Sequence, residues 1–129
     1  MRVLLDTHVF IWWDSLNSKL PASVADIIRD GRNDIFVSAA TAWEISTKRR
    51  LGKIDFSGSV CEAIQASGFS ELPVSAVDAE FAGAFEWRHR DPFDRLLLAQ
   101  AHGQSLTFVT ADHTIREFSS VNQIWAGGN

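Results

Sequence analysis

Short apolar runs alternate along the chain with longer segments whose apolar residues recur at helical spacing. The apolar runs predict strands at 2–5, 34–38, 69–74, 106–110 and 123–126. The segments between them predict helices over 7–14, 21–31, 39–50, 59–67, 76–87 and 91–103, and a helical turn over 112–118. Alternating strands and helices are typical of a mainly parallel sheet covered on both faces. The pattern therefore predicts a single α/β domain over residues 1–129.

The helix predicted from residue 91 begins with an ordinary capping signal and has an additional carboxylate in its first turn. Asp91 can cap free backbone N–H groups, and Pro92 fits the first helical position without losing a hydrogen bond. Asp94 lies one turn further on, just before an apolar run that must be buried. A second carboxylate at this point needs a reason other than capping.

Four carboxylates fall near the ends of the predicted strands. Asp6 ends the first strand, and Asp112 lies just past the fourth. Glu44 lies one to two turns into the helix after the second strand, and Asp94 lies in the first turn of the helix before the fourth. In open parallel sheets, ligands bind outside the carboxyl ends of the strands. We therefore expect these four side chains to meet at one edge of the sheet, although each acid alone has a structural reading as a cap, a turn or a surface residue.

Such a convergence is unfavourable without a counter-ion. Two unit charges ~4 Å apart repel by about 4 kcal/mol at an effective dielectric constant near 20. The four histidines of the chain show no metal-ligand spacing. Hard oxygen ligands without a His or Cys companion favour Mg²⁺ or Mn²⁺ over zinc, and such ions serve phosphodiester chemistry.

Composition narrows the class of protein. The longest apolar runs fall far short of the ~20 residues that a membrane span needs, so we expect no membrane association. The single cysteine, Cys61, excludes an internal disulfide and favours a reducing, cytoplasmic location. The apolar residues around it predict that Cys61 lies on the buried face of a helix. Val77, Phe81, Ala84 and Phe85 are spaced as an apolar helix face and are also predicted to be core.

The charge of the chain is negative overall but locally positive. A net charge of −4 argues weakly against a general nucleic-acid binder. Basic residues nevertheless cluster at 48–50 and at 88–90 with Arg95. Such clusters are often only solvated helix ends, yet they also permit a local RNA-binding patch beside an acidic centre.

Four short motifs, in order, resemble one known family. They are Asp6-Thr7 after an apolar strand, Glu44 within AATAWEIS, Asp94 opening DRLLLAQA, and Thr110-Ala-Asp112 after LTFV. Together they resemble the PIN domain, and within it the VapC-like ribonuclease toxins of bacterial type II toxin–antitoxin systems. The resemblance covers nearly the whole chain, although many relatives have Asn where this chain has His8.

The resemblance implies a fold, an activity and partners. It implies a PIN-like three-layer α/β/α domain with a mainly parallel central sheet of four to five strands, and metal-dependent endonucleolytic cleavage of RNA. Asp6, Glu44, Asp94 and Asp112 would be the catalytic carboxylates that bind Mg²⁺ or Mn²⁺. Thr110 and Thr7 would support the site. It also implies a homodimer and a small antitoxin whose C-terminal segment blocks the active site.

Further contacts and other functions stay open at this point. Arg95 could lie near the scissile phosphate, contact the antitoxin or pair with a carboxylate. Lys48 and Arg49 are candidate RNA or antitoxin contacts. Trp12 and Trp13 point to different faces of their helix, so that both could pack in the core, or one, with Trp12 the candidate, could lie exposed at a dimer or antitoxin interface. The alternatives to a toxin are an RNA-processing nuclease without a toxin role and a non-catalytic PIN-like binding module.

Overall fold

The computed structural model describes residues 1–118 and 120–128, which form one five-stranded sheet in which every strand pairing is parallel. The strand order is β3-β2-β1-β4-β5, so β1 lies at the centre. The strands are β1 (Arg2–Leu5), β2 (Asp34–Ser38), β3 (Ser70–Leu72), β4 (Thr107–Thr110) and β5 (Gln123–Trp125). In register, Leu4 lies opposite Phe36 on one side and Phe108 on the other.

Seven helices connect the strands within the described residues. They are α1 (Thr7–Asp14), α2 (Ala22–Arg29), α3 (Ala39–Arg50), α4 (Val60–Ala66), α5 (Ala76–Ala84), α6 (Pro92–Gly103) and α7 (His113–Arg116). Several begin where the sequence supplies a cap: Ser38 accepts the N–H of Ala40, Asp91 accepts those of Phe93 and Asp94, and Ser75 forms a capping box with Asp78. The α/β fold with a covered parallel sheet is confirmed.

Two apolar clusters, one on each face of the sheet, make the three layers. Val3 and Leu5 of β1 belong to the first cluster, whereas Leu4 between them belongs to the second, as the two-residue repeat of a strand requires. Helices α1, α2 and α4 contribute to the first cluster, α6 and α7 contribute to the second, and α3 contributes to both. Since β1 is buried on both faces, its carboxyl end is held rigidly at the centre of the molecule.

Some predicted burial is wrong. Val77 is 77% exposed and Phe81 is 39% exposed, because α5 turns Asp78 and Ala82 towards the protein instead. Asp78 is fixed in this orientation by the capping box and by Gln100 of α6, whose side-chain amide donates to it over 3.3 Å. Cys61 is likewise exposed on α4, not in the core.

Two element ends also differ from the prediction. Helix α5 stops at Ala84 because Phe85 is extended, and the aromatic residues that follow pack as a loop against Phe118. Strand β3 is shorter than the predicted 69–74. Both Trp12 and Trp13 are half-buried, and Trp13 packs against the first cluster and donates to Ser67. In the described part of the chain, no helix is long and apolar enough to cross a membrane.

Candidate active site

Asp6 lies between β1 and α1, at the carboxyl end of the central strand of the sheet. Its side chain accepts the backbone N–H of Thr7 over 2.8 Å, as an N-cap, and the hydroxyl of Thr110 over 2.7 Å. Thr110 ends the neighbouring strand β4 and is fully buried, so it fixes the orientation of the Asp6 carboxylate. The hydroxyl of Thr7 lies 3.0 Å from that of Thr41, which ties the start of α1 to α3.

Asp94 and Asp112 approach each other from different elements, with a histidine between them that the sequence prediction left out. Asp94 projects from the first turn of α6, and Asp112 caps α7 by accepting the N–H of Thr114 over 2.8 Å. His89 Nε2 lies 2.6 Å from Asp94 Oδ2. Ligand atoms of His89, Asp94 and Asp112 all lie within 4.8 Å of one another.

Glu44 is the most deeply placed acid that caps no helix. Its side chain is 3% exposed, and one oxygen, Oε2, lies 2.5 Å from the ammonium of Lys48 one turn along α3. The other oxygen, Oε1, is buried and has no hydrogen-bond partner among residues 1–118 and 120–128. Lys48 also lies 3.9 Å from Asp91 Oδ2, so it is a counter-ion to the acidic group and faces inward.

The electrostatics show that the four predicted carboxylates act on one another. Burial raises the pKa of Asp6 to about 6, against the hydrogen bonds from Thr110 and Thr7, and the charges of Glu44 and Asp112 raise it further. Burial also raises the pKa of Asp94 to about 7, together with the charges of Asp6, Asp91 and Glu44 and against the hydrogen bond of His89. The charges of the four acids therefore lie close enough to affect one another, while the ligand atoms that lie within 4.8 Å of one another belong to Asp94, Asp112 and His89.

Lys48 responds in the opposite sense. Burial of its ammonium lowers the pKa, but the hydrogen bond and charge of Glu44 and the charges of Asp91 and Asp94 outweigh burial and raise it. One lysine cannot neutralise a group of this size. A buried carboxylate oxygen without a partner, beside acids whose ionisation is disfavoured, is the arrangement that a bound divalent cation would satisfy. The residues present therefore fit Mg²⁺ or Mn²⁺.

Arg95 and Arg49, both candidate RNA or antitoxin contacts, hold backbone in place. Arg95 donates to four carbonyl oxygens, those of Ala82, Phe85, Trp87 and His89, at 2.5–3.1 Å. It pairs with no carboxylate in the described parts of the chain, so that interpretation of Arg95 is wrong. Arg49 donates to the carbonyls of Phe56 and Gly58, which fixes the loop after α3.

A pocket of about 250 Å³ opens beside the acids. It is lined by Asp6, His8, Trp12, Ala111 and Asp112. His8 and Trp12 project from consecutive turns of α1, so they form the wall of this pocket next to the carboxylates. Any chain bound across Asp6 and Asp112 would meet these two rings.

The site contains two residues whose place the sequence prediction missed. The spacing of Glu44 and Lys48 is the i, i+4 spacing of a helical ion pair, so their contact could have been read from the sequence. His89 had no such signal, because its position depends on the loop that Arg95 holds. Sequence spacing therefore could not identify His89 as a possible metal ligand, because a side chain from α6 sets the path of its loop.

Known proteins share the fold of this chain. Residues 3–121 match the family model described as the PIN domain. No curated protein sequence matches the chain. Among solved structures, the chain resembles a toxin–antitoxin complex from Klebsiella pneumoniae (18% identity, TM-score 0.67, 98% of this chain and 99% of that one). It also resembles DNA-bound VapBC from Salmonella typhimurium (16% identity, TM-score 0.67, 96% and 97%).

A third similar structure is VapC20 from Mycobacterium tuberculosis, described as a toxin that cleaves the sarcin–ricin loop (16% identity, TM-score 0.53, 92% and 98% coverage). At these identities the structural likeness establishes the fold. The family match spans nearly the whole chain and includes all four acids of the site. The chain therefore belongs to the PIN domain family.

Proposed function

We propose that this protein is a Mg²⁺- or Mn²⁺-dependent endoribonuclease that acts as the toxin of a toxin–antitoxin pair. The observation that carries the proposal is the buried oxygen Oε1 of Glu44, which lacks a partner among the described residues in a site where Asp6 and Asp94 resist ionisation. Without a use, such a group would only lower the stability of the fold. In a chain of the PIN domain family, this unpartnered oxygen supports the proposal of a metal site that serves phosphodiester cleavage.

Asp6, Glu44, Asp94 and Asp112 would hold the ion in this site. When bound, the ion supplies charge stabilisation at the phosphate oxygens and acidifies water for attack on phosphorus. Thr110 keeps the Asp6 carboxylate aimed at the site, and Lys48 keeps one oxygen of Glu44 in place while leaving the other available. The pocket of about 250 Å³ beside Asp6 and Asp112, at the carboxyl ends of the strands, is where part of the RNA would bind.

The partners belong to the same proposal. Several similar structures are described as toxin–antitoxin or VapBC complexes, and one as a toxin that cleaves the sarcin–ricin loop. We therefore include an RNA substrate, a small cognate antitoxin, a homodimer and a cytoplasmic location in the proposal. The RNA-processing alternative shares the chemistry and lacks only the antitoxin, and the binding-module alternative lacks the chemistry.

Cleavage of a mixed pool of single-stranded RNA tests the enzyme. Antitoxin-free protein is incubated with Mn²⁺, with Mg²⁺ or with EDTA, beside Asp94→Asn and beside Asp55→Asn, in which an exposed aspartate is changed. We expect metal-dependent cuts by the wild type and by Asp55→Asn, and none by Asp94→Asn. Equal cutting by Asp94→Asn, or cutting that survives EDTA, would refute the proposed site.

The toxin role needs a separate measurement in bacterial cells. Expression of the wild type should arrest growth, Asp94→Asn should not, and co-expression of the cognate antitoxin that we propose should relieve the arrest. Growth that is unaffected by a protein that cleaves RNA in vitro would favour the RNA-processing alternative. Light scattering of the purified chain tests the homodimer.

A further inference from the structure

His89 is presented to the acidic site by a loop that is fixed from several directions. Arg95 donates to the carbonyl oxygens of Trp87 and His89 at 3.0 and 3.1 Å. The ring of Trp87 lies 4.7 Å from the imidazole, centroid to centroid, and limits its rotation. The imidazole is therefore held in the site before any ligand arrives, and is not a flexible surface side chain.

The spacing of the ligand atoms suits a single ion. Donor atoms around one divalent ion lie about 2.1 Å from it, so neighbouring ligands are about 3 Å apart and opposite ligands a little over 4 Å apart. His89, Asp94 and Asp112 offer one ligand atom each within 4.8 Å of one another. The 2.6 Å contact between His89 Nε2 and Asp94 Oδ2 is slightly shorter than that spacing, so an ion would replace this hydrogen bond and open it by a few tenths of an ångström.

An independent observation points to the same ligand. Glu44 Oε1 is buried without a partner in the described part of the chain, and the Glu44 charge reaches Asp94. A cation held beside Asp94 would lie close to this charge and would supply the favourable interaction that the buried oxygen lacks. The donor set of the site then contains one ring nitrogen as well as oxygens.

We propose that His89 is a ligand of the metal ion, and that its nitrogen makes the site prefer a first-row transition ion such as Mn²⁺ over Mg²⁺. Imidazole is a good ligand for first-row transition ions, whereas Mg²⁺ strongly prefers oxygen and keeps its water. The inference rests on the proposed metal-dependent function and specifies the ion. The competing interpretation is that His89 serves only as an ion-pair partner of Asp94.

Calorimetric titration of the purified full chain with Mn²⁺ and, separately, with Mg²⁺ tests the preference. The variants are His89→Asn and the control His102→Asn, in which an exposed histidine at the far end of α6 is changed. We expect His89→Asn to lower Mn²⁺ affinity by about tenfold or more and Mg²⁺ affinity by no more than about twofold, and the control to change neither. Equal losses for both ions, or no loss for Mn²⁺, would overturn the inference.

Pulsed electron paramagnetic resonance of the Mn²⁺-loaded wild type detects ligation by a histidine nitrogen directly. Direct binding gives a nitrogen hyperfine coupling that changes when the protein is grown with ¹⁵N-histidine and that persists in His102→Asn. Absence of this coupling would refute His89 as a ligand even if His89→Asn failed to fold. If the wild type bound neither ion, the metal-dependent function itself would fail; if it bound Mn²⁺ without the nitrogen coupling, only the role of His89 would fail.

Discussion

The raised pKa values of Asp6 and Asp94 make the metal-free protein sensitive to pH in a particular direction. Their unfolded pKa is close to 3.8, whereas in the folded protein the values are about 6 and about 7. Between these limits the folded protein holds protons that the unfolded chain has released. The free energy of unfolding must therefore fall as pH rises from about 4 to about 7, and level off above the folded pKa values.

The size of this effect follows from the proton affinities. Each tenfold change in proton affinity corresponds to about 1.4 kcal/mol, so ionised Asp6 costs the folded state about 3 kcal/mol and ionised Asp94 about 4 kcal/mol. Part of this cost is already present at pH 5, and the two charges raise each other's pKa. We expect the free energy of unfolding to drop by about 3 kcal/mol from pH 5 to pH 8.

Urea denaturation at pH 5, 6, 7 and 8 in EDTA measures this drop for the wild type and for Asp94→Asn. The variant cannot ionise at residue 94, so we expect its drop to shrink to about 1 kcal/mol. At pH 8 it should exceed the wild type in stability by about 1–2 kcal/mol, after the loss of the hydrogen bond with His89 is subtracted.

The control is Asp55→Asn, which removes an exposed carboxylate and should keep the wild-type dependence on pH. Asp30, whose pKa its partner Arg32 lowers to about 2, acts only below the measured window. A wild-type stability that is flat or rising between pH 5 and pH 8, or an equal drop in Asp94→Asn, would refute the reasoning that the acids are buried at a cost.

Three further outcomes follow from the same contacts. Mg²⁺ at about a hundred times its dissociation constant should raise the free energy of unfolding of the wild type by about 2.7 kcal/mol, seen in thermal melts, and raise that of Asp94→Asn less. Arg95→Met leaves four carbonyls without their donor, so we expect a loss of about 3 kcal/mol and faster amide exchange in the loop before α6, whereas exposed Arg90→Met should do neither. Lys48→Met should lower the free energy of unfolding of the metal-free protein by about 2 kcal/mol, because Glu44 loses its counter-ion. The same variant should bind Mn²⁺ more tightly in calorimetry, because a competing positive charge is removed. Lys53→Met is the control, and an unchanged Mn²⁺ affinity of Lys48→Met would contradict the counter-ion role.

The layered fold could be predicted because its signals are local. Apolar runs of strand length, and caps such as Asp91 followed by Pro92, state where elements begin. The end of α5 could not be predicted, because Phe85 and Trp87 continue the apolar pattern past Ala84. Those half-buried rings pack instead against Phe118, which follows them by 33 and 31 residues along the chain. Periodicity shows that a residue needs an apolar partner and does not show which one.

Some residues of the candidate site could likewise be placed from local signals in the sequence, and His89 could not. The acids at the strand ends could be placed from topology alone, since parallel strands bring their carboxyl ends to one edge. His89 could not, because it lies on a loop whose path is set by the side chain of Arg95 from α6. The choice between an all-oxygen site and a mixed one therefore depended on tertiary structure.

The acids of the site differ in what they do for the fold. Asp6 and Asp112 each begin a helix by accepting a backbone N–H, and an alanine at such a position costs about 1 kcal/mol. A lineage that had abandoned RNA cleavage would still be under selection to keep these two aspartates or another capping residue. Asp6 also carries a cost of burial but offsets part of it as a cap, whereas Glu44 and Asp94 are buried and cap no helix, so under the proposed function they would be the first to change once cleavage no longer mattered. If the proposed cleavage is the activity of this fold, we expect the residues at positions 44 and 94 to differ between relatives that cleave RNA and relatives that keep only the fold.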